Sequence, residues 1–467
     1  MDRDDALEQL ASRRFDLLVV GGGIIGAGIA EAAARHGMAV ALVDRGDFAG
    51  ATSTASSKLI HGGLRYLRLG DVGLVREAHH ERRALTNVVA PHLVHRLPFL
   101  FPFYEDGPYR PWFVQSGIIL YSAIAHSRLH WLVDPERAGK LVPQLRRSGL
   151  RSCGLYADAW TNDGRLTLAN IRGASERGAV VVNYAEVVSI GATGAEVHAD
   201  GRTIAVQAGS IVNATGPWVD RIRELEDPAA RPSIRLSKGV HVIVDGSEGW
   251  DAAVTIAHDQ VRVSFAVPWE GKLLLGTTDT EHDGRPEDVQ VTDDDVRQVL
   301  GEAAVAVDGV GPARATFCGL RALPAGDGQT ANARRETVFT RGRHGMVSVA
   351  GGKLTTYRRI ALQALGELGV RNLDQRPHPL PGASGLDAIA WPAGLPPETR
   401  EHLLHLYGSL AAEVLEPSRD DPSLLEPLVA GRPDLRAQDV YAREREWARN
   451  EDDVLRRRTT GWLAGSS

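Results

Sequence analysis

The chain has 467 residues, 43% of them hydrophobic and 24% charged, with 50 glycines and a net charge of -6. That length predicts two or three domains of a loop-rich α/β protein, the composition excludes a disordered or fibrous chain, and the negative balance argues against nucleic acid as the main partner. Cys153 and Cys318 stand far apart in unlike contexts, so neither a disulfide framework nor a metal site is expected, and a reducing cytosol is the expected compartment.

The opening MDRDDALEQLASRRFD lacks the apolar core of a signal peptide and reads as a short amphipathic helix leading into a strand. FDLLVV (15–20) is an apolar run ending in glycines, the pattern of a buried parallel strand. Residues 24–36 are rich in Ala and Gly and predict a helix capped by Gly37, and AVALV (39–43) predicts a second buried strand ending at Asp44. Between strand and helix, Gly21-Gly22-Gly23-Ile24-Ile25-Gly26 is a GxGxxG. Gly21 permits the tight turn, Gly23 lets backbone approach a pyrophosphate, and Gly26 lets helix and strand pack closely. The phosphate then meets the positive end of the helix. Asp44, 18 residues after Gly26, is placed to accept ribose hydroxyls. Strand, fingerprint, helix, strand and acid in that order predict a dinucleotide site, and the motif alone leaves FAD and NAD open.

In SSKLIHGGLRYL (56–67), Lys58, His61 and Arg65 surround Gly62-Gly63. The segment YRPWFVQSGIILYSAIAHSRLHWLV (109–133) is apolar but interrupted, too short of a continuous run to span a bilayer. It reads as a partly buried helix or as an interfacial helix on a membrane surface. Strands are predicted at 179–182, 210–213, 240–244, 262–267, 272–275 and 346–349; several lack an intervening helix, so an antiparallel sheet accompanies the parallel one. Two features favour a flavin. The 210–213 strand runs into Ala214-Thr215-Gly216, a small turn that can return to the cofactor. Farther on, Gly351-Gly352-Lys353-Leu354-Thr355-Thr356 opens a helix, where free N–H groups suit the negative charge that reduced flavin gathers near N1 and its C2 carbonyl.

Arg65, His241, Arg321 and Lys353 each sit beside glycine, in GGLRY, KGVH, CGLRALP and GGKLTT. Cations so placed can face a ligand close to backbone and imply an anionic substrate, a phosphate or carboxylate. Residues 375–397 are heavy in Pro and Gly and read as a linker. Beyond it, Leu403, Tyr407, Leu410 and Val414 at helical spacing predict a small helical domain, and Glu451-Asp452-Asp453 before Arg456-Arg457-Arg458 reads as a solvated helix face.

ATSTASSKLIHGGLRYL (51–67) closely resembles the signature of the FAD-dependent glycerol-3-phosphate dehydrogenases of the quinone-linked, aerobic type. LVREAHHERRAL, APHLVHRLPFLFP, ATGPWVD (214–220), KGVHVIVD (238–245), VPWEGKLLLGTTDTE (267–281), GLRALP (319–324), GGKLTTYR (351–358) and DVLRRRT (453–459) carry the resemblance over nearly the whole chain. It implies a glutathione-reductase-like, Rossmann-type FAD-binding domain (1–95, 150–235 and 310–380), an antiparallel-sheet substrate domain (96–149 and 236–309) and a small all-α C-terminal domain (386–467). The implied activity is oxidation of sn-glycerol 3-phosphate to dihydroxyacetone phosphate, by hydride transfer from C2 to flavin N5, with electrons leaving for a quinone. Peripheral contact with the inner face of the cell membrane and a homodimer are partners that the resemblance leaves open.

Residue by residue, the resemblance puts Gly21, Gly23, Gly26 and Asp44 on the ADP half of FAD, and Thr52, Ser53, Lys58, Leu59 and His61 on the pyrophosphate-to-flavin side. Val188, Ala214, Gly216, Gly352, Lys353, Leu354 and Thr355 complete the cofactor set. Arg65, Tyr66, His241, Arg321 and Lys353 are the implied substrate residues. Among them His241 is the preferred base, since imidazole titrates near neutrality, with Lys353 or Arg321 stabilising the alkoxide. Three departures stand out: Asp44 where many members have Glu, Gly164 in place of a more usual Ala, and a short C-terminal region that puts an oligomerisation or membrane-docking role there in doubt. An oxygen-using glycerol-3-phosphate oxidase, an amino-acid or sarcosine-type oxidase, and an idle flavoprotein are the alternatives.

Overall fold

The computed structural model describes residues 2–64, 71–127, 130–259, 262–325 and 337–465. Strand Arg14–Val20 is flanked in parallel by Val40–Val43 and Arg202–Asn213. Val180–Val182 and Val347–Gly351 extend this parallel sheet on either side, and Thr337–Arg341 closes one edge antiparallel. Leu17, Leu18, Val19 and every residue of Val40–Val43 are buried, which is why these strands read as unbroken apolar runs. Helices Ile24–Arg35, Asp163–Glu176 and Tyr357–Glu367 share one core with the sheet. Gly28 sets their spacing: a Cβ there would stand 2.8 Å from the Tyr357 ring. The opposite face is covered by helix Arg3–Ser12 and the hairpin Ala185–Gly191/Gly194–Ala199.

The second sheet runs Thr280–His282, Ile234–Val244, Lys272–Gly276, Val263–Trp269, Ala253–Ala257, Val94–Tyr104, Leu150–Thr161, Leu59–Ile60, with Ala315–Pro324 also on Ile234–Val244. All these pairs are antiparallel except Ala253–Ala257 with Val94–Tyr104. Leu150–Thr161 and Ala315–Pro324 therefore pair in this sheet, whereas the expected boundaries gave 150–235 and 310–380 to the FAD unit. Much of Leu150–Thr161 is buried without strict alternation, so its sequence carries no period-2 signal to assign it.

Helix Pro111–Ala125 occupies the ambiguous apolar segment. Val114, Ile118, Tyr121 and Ala125 turn inward, while Trp112, Phe113, Ile119 and Leu120 are exposed at 66%, 47%, 49% and 49%. Among the described residues no helix is long and apolar enough to cross a membrane. Leu403, Tyr407, Leu435 and Tyr441 form the core of the C-terminal helices Pro397–Tyr407, Ala411–Leu415 and Arg436–Arg445.

Two expectations about this end are corrected. Residues 375–397 are not a free linker throughout: the Leu380 N–H donates to Val89 O at 2.8 Å, and a Cβ on Gly382 would meet Tyr407 O at 2.3 Å. The 451–458 run is a solvated face only in part: Glu451, Asp452 and Arg456 are exposed, whereas Asp453 and Arg458 are fully buried and Arg457 nearly so. The counter-charge of the two arginines lies in the first domain, at Asp47.

Candidate active site

A cavity of about 1010 Å³ opens between the two sheets. One end is made of backbone. Gly21, at φ 105°, follows the central strand so closely that a Cβ would lie 2.7 Å from Ala214 O, and a Cβ on Gly26 would lie 1.9 Å from Gly21 O. Gly26 is thus a packing residue beneath the turn, whereas Gly21, Gly23, Asp44, Ala214 and Gly216 line the cavity. Asp44 accepts N–H donors from Gly22 at 2.6 Å and Gly46 at 2.9 Å; even so, burial pushes its carboxyl up to about 6. Ser53 Oγ accepts the Ile24 N–H at 2.9 Å, so a hydroxyl stands at the start of the fingerprint helix. Thr52 Oγ1 donates to Leu320 O at 2.8 Å, tying this turn to the second sheet. The turn can come that near because residue 319 is glycine: a Cβ there would be 2.9 Å from Ala55.

Strand alternation and the ladder build the other end. Ser237, Gly239 and His241 lie on one face of Ile234–Val244, opposite Arg321, Gly319 and Phe317 of the neighbouring strand. Gly239 makes room for the guanidinium of Arg321, whose Nη2 would be 2.4 Å from a Cβ on residue 239. Arg321 donates to Thr277 Oγ1 at 2.7 Å, to Thr278 O at 3.2 Å and to Ser237 Oγ at 3.3 Å. The His241 ring stacks on Phe317 with centroids 4.9 Å apart, its Nε2 is 3.0 Å from Ser57 Oγ, and its Nδ1 has no partner among the described residues. Burial, then Arg321 and Lys58, hold the His241 pKa well below the usual imidazole range.

Lys353, Leu354 and Thr355 enter the cavity from the parallel sheet, at the start of the helical turn Leu354–Thr356. Gly352 precedes them at φ 91°, a conformation that glycine adopts without strain. Thr355 Oγ1 accepts the His61 N–H and donates to His61 O, both at 3.1 Å, which joins the two motif loops. Leu59 and His61 line the cavity as expected residues do. Arg65 and Tyr66 lie outside the described residues.

Two expected cofactor residues point elsewhere. The Lys58 ammonium is buried in an ion pair with Asp163 at 2.6 Å and donates to Thr54 O, because a cation at that depth needs a counter-charge. Val188 is 42% exposed, and its neighbour Val187, one step along the strand, lines the cavity instead. The Gly164 departure has a packing reason, as a Cβ there would stand 2.9 Å from Thr54 Cγ2. Sequence reasoning missed Asp158, which lines the cavity and takes the Gly62 N–H at 3.3 Å and the Tyr121 hydroxyl at 2.8 Å. It also missed Thr277, Asp452 and Arg457 on the cavity wall, although Thr277 and Arg457 lie within the quoted stretches 267–281 and 453–459.

A glycine cradle that any Cβ would fill, a helix start beside it and a buried ribose acid suit an ADP moiety, and the glycine-opened helix at Leu354–Thr356 suits a flavin ring. The fold and cavity define a flavin-binding oxidoreductase. The family model of FAD dependent oxidoreductases matches residues 16–358, and that of the C-terminal domain of alpha-glycerophosphate oxidase matches 374–464. Glycerol-3-phosphate dehydrogenase 2 of Mycobacterium bovis is 36% identical, over 97% of this chain and 82% of its own length. The aerobic glycerol-3-phosphate dehydrogenase of Staphylococcus epidermidis is 34% identical, over 79% of this chain and 70% of its own. The structure of the glycerol-3-phosphate dehydrogenase from Bacillus halodurans complexed with FAD superposes with a TM-score of 0.78 at 28% identity, covering 99% of this chain and 89% of that one. The chain belongs to the FAD-dependent glycerol-3-phosphate dehydrogenase family, and its cofactor is FAD.

Proposed function

We propose that the chain oxidises sn-glycerol 3-phosphate at C2 to dihydroxyacetone phosphate and passes the electrons to a quinone. The observation that carries this reading is the juxtaposition of His241 and Arg321 on one sheet face with Lys353 at the start of a helix from the other sheet. Relatives of 34% and 36% identity that are named for this activity support it.

Arg321 holds the phosphate. Its guanidinium is oriented by Thr277, Thr278 and Ser237, and charge-assisted hydrogen bonds from a fixed fork favour a phosphate. Arg65 and Tyr66 join it there on the strength of the resemblance alone. His241 takes the proton of the C2 hydroxyl at Nε2, the nitrogen beside Ser57, because Nδ1 is buried; its depressed pKa keeps the imidazole neutral at pH 7. Ser57 fixes the ring through Nε2, and Lys353 stabilises the charge that develops on the C2 oxygen. Gly21, Gly23, Asp44, Thr52, Ser53, Leu59, His61, Val187, Ala214, Gly216, Gly352, Leu354 and Thr355 hold the cofactor, with Gly26 packed beneath them. When bound, the flavin supplies the hydride acceptor.

The acceptor reading is supported by helix Pro111–Ala125. Phe113 and Leu120 line the cavity and are also exposed beside Trp112 and Ile119, so the apolar face that a membrane would meet is shared with the cavity wall. Anaerobic glycerol 3-phosphate should bleach the bound flavin, and a quinone analogue should restore its colour. Bleaching by an amino acid alone would overturn the substrate, stoichiometric peroxide in air would replace the quinone by oxygen, and failure to bind liposomes would remove the membrane contact.

A further inference from the structure

Asp47 lies three residues beyond Asp44, in the loop that carries the ribose acid, and it is 5% exposed. Two arginines of the C-terminal domain converge on it. Arg458 takes both carboxylate oxygens, Nη2 donating to Oδ1 at 2.8 Å and Nη1 to Oδ2, while its Nε and Nη2 donate to Glu446 O at 3.1 and 2.6 Å. Arg457 donates through Nε to Asp47 Oδ2 and through Nη2 to Asp453 Oδ1 at 2.6 Å. Asn183 Nδ2 adds a link, donating to Asp47 Oδ1 at 2.9 Å and to Trp447 O at 2.8 Å.

A second contact runs beside the first. The Trp447 ring meets Phe48 edge-on with centroids 5.6 Å apart, and Phe48 fills the space above Gly22, where a Cβ would be 2.4 Å from its ring. The Ala49 N–H donates to Gly22 O at 3.0 Å, and the Gly22 N–H donates to Asp44. Docking of residues 447–458 is thereby transmitted to the fingerprint turn through one short loop. Asp452 and Arg457 also form wall of the same cavity as Asp44, Gly46 and Tyr184. Charge gives the coupling a sign: Asp47 raises the Asp44 pKa, so an Asp47 stripped of its arginines would press Asp44 further toward the neutral form, which accepts ribose hydroxyls poorly.

We propose that the C-terminal helical domain is part of the cofactor site: residues 447–458 clamp the 44–48 loop through Asp47 and Phe48 and retain the adenosine half of FAD, with Arg457 as its positioning residue. This rests on the FAD of the family and not on which substrate is oxidised.

The test compares Arg457→Ala and Arg457→Lys with Arg172→Ala. Arg172 holds the same domain at Tyr441 (3.0 Å) and Glu413 (3.1 Å) without lining the cavity. FAD release from the diluted holoprotein is followed by free-flavin fluorescence, and Tm is measured on each apoprotein. Arg457→Ala should release FAD at least about ten-fold faster than the parent, since it strips one partner from a buried ion pair. Arg457→Lys should recover part of the loss, and Arg172→Ala should lower Tm while leaving release unchanged. Parental release from Arg457→Ala, or equal acceleration by Arg172→Ala, would overturn the clamp. Should Arg457→Ala not fold, Trp447→Phe carries the same test through Phe48: faster release supports the clamp and parental release overturns it.

Discussion

The two ends of the cavity are built by different rules. At the adenosine end, glycine backbone and one carboxylate from residues 21–44 do most of the work, and the shape exists only where a Cβ is missing. At the end proposed for the substrate, side chains meet from distant strands: His241 reaches Ser57 across 184 positions, and Arg321 reaches Ser237 across 84. A site made of backbone selects its ligand by approach, whereas one made of cations selects it by charge. The first is sensitive to an added methyl group and the second to a deleted charge.

The largest effect expected follows from that contrast. Gly26→Ala puts a Cβ 1.9 Å from Gly21 O, a clash that only a shift of helix or turn relieves. The purified variant should carry no FAD, read from its flavin absorbance, and a flavin content equal to the parent's would break the claim that backbone builds this end. Arg321→Ala comes next. Losing a largely buried cation from the proposed phosphate site costs about 3 kcal/mol, so kcat/KM for glycerol 3-phosphate should fall about a hundred-fold, mostly through KM, with FAD retained. Loss of FAD together with activity would mean that the two ends do not behave separately.

The same contrast explains what could be read from the chain before folding. The parallel sheet and the Gly21–Asp44 unit were legible because their information is local: apolar runs, glycine spacing and an acid at a strand end. His241, Arg321 and Lys353 were legible as residues, through neighbouring glycines and the family resemblance, but not as a geometry: the ladder that sets His241 beside Arg321 joins distant segments, as in Gly239 opposite Gly319, and Lys353 arrives from the other sheet. Lys58 misled because its partner, Asp163, is 105 positions away. Val188 misled by one step of strand phase, which reverses the face. Arg457 and Arg458 looked solvated because the acids nearest in sequence, Asp452 and Asp453, mask a buried partner 410 positions distant.

Ser57→Ala tests the substrate end more gently. The hydroxyl touches His241 Nε2 at 3.0 Å, and one such hydrogen bond contributes about 1 kcal/mol. The expected result is a roughly five-fold fall in kcat with KM unchanged. A change confined to KM would make Ser57 a substrate contact instead of an orienter of the ring.

Proton binding at Asp44 sharpens the adenosine end. The Asp44 carboxyl ionises near pH 4 in the unfolded chain but holds its proton to about 6 in the folded one, chiefly through burial. Between those values the folded apoprotein binds the extra proton, so its stability falls as pH rises from 4 to 6 and the Asp44 contribution is gone above that. With Asp44 proposed to hold the ribose, FAD binding should run the other way, because ribose hydroxyls donate to an ionised carboxylate. Apoprotein titrated with FAD should therefore bind about two-fold more weakly at pH 6 than on its neutral plateau, and about ten-fold more weakly one unit lower. Asp44→Asn should flatten that slope while weakening binding at every pH. A slope that survives the substitution would place the titrating charge elsewhere in the wall.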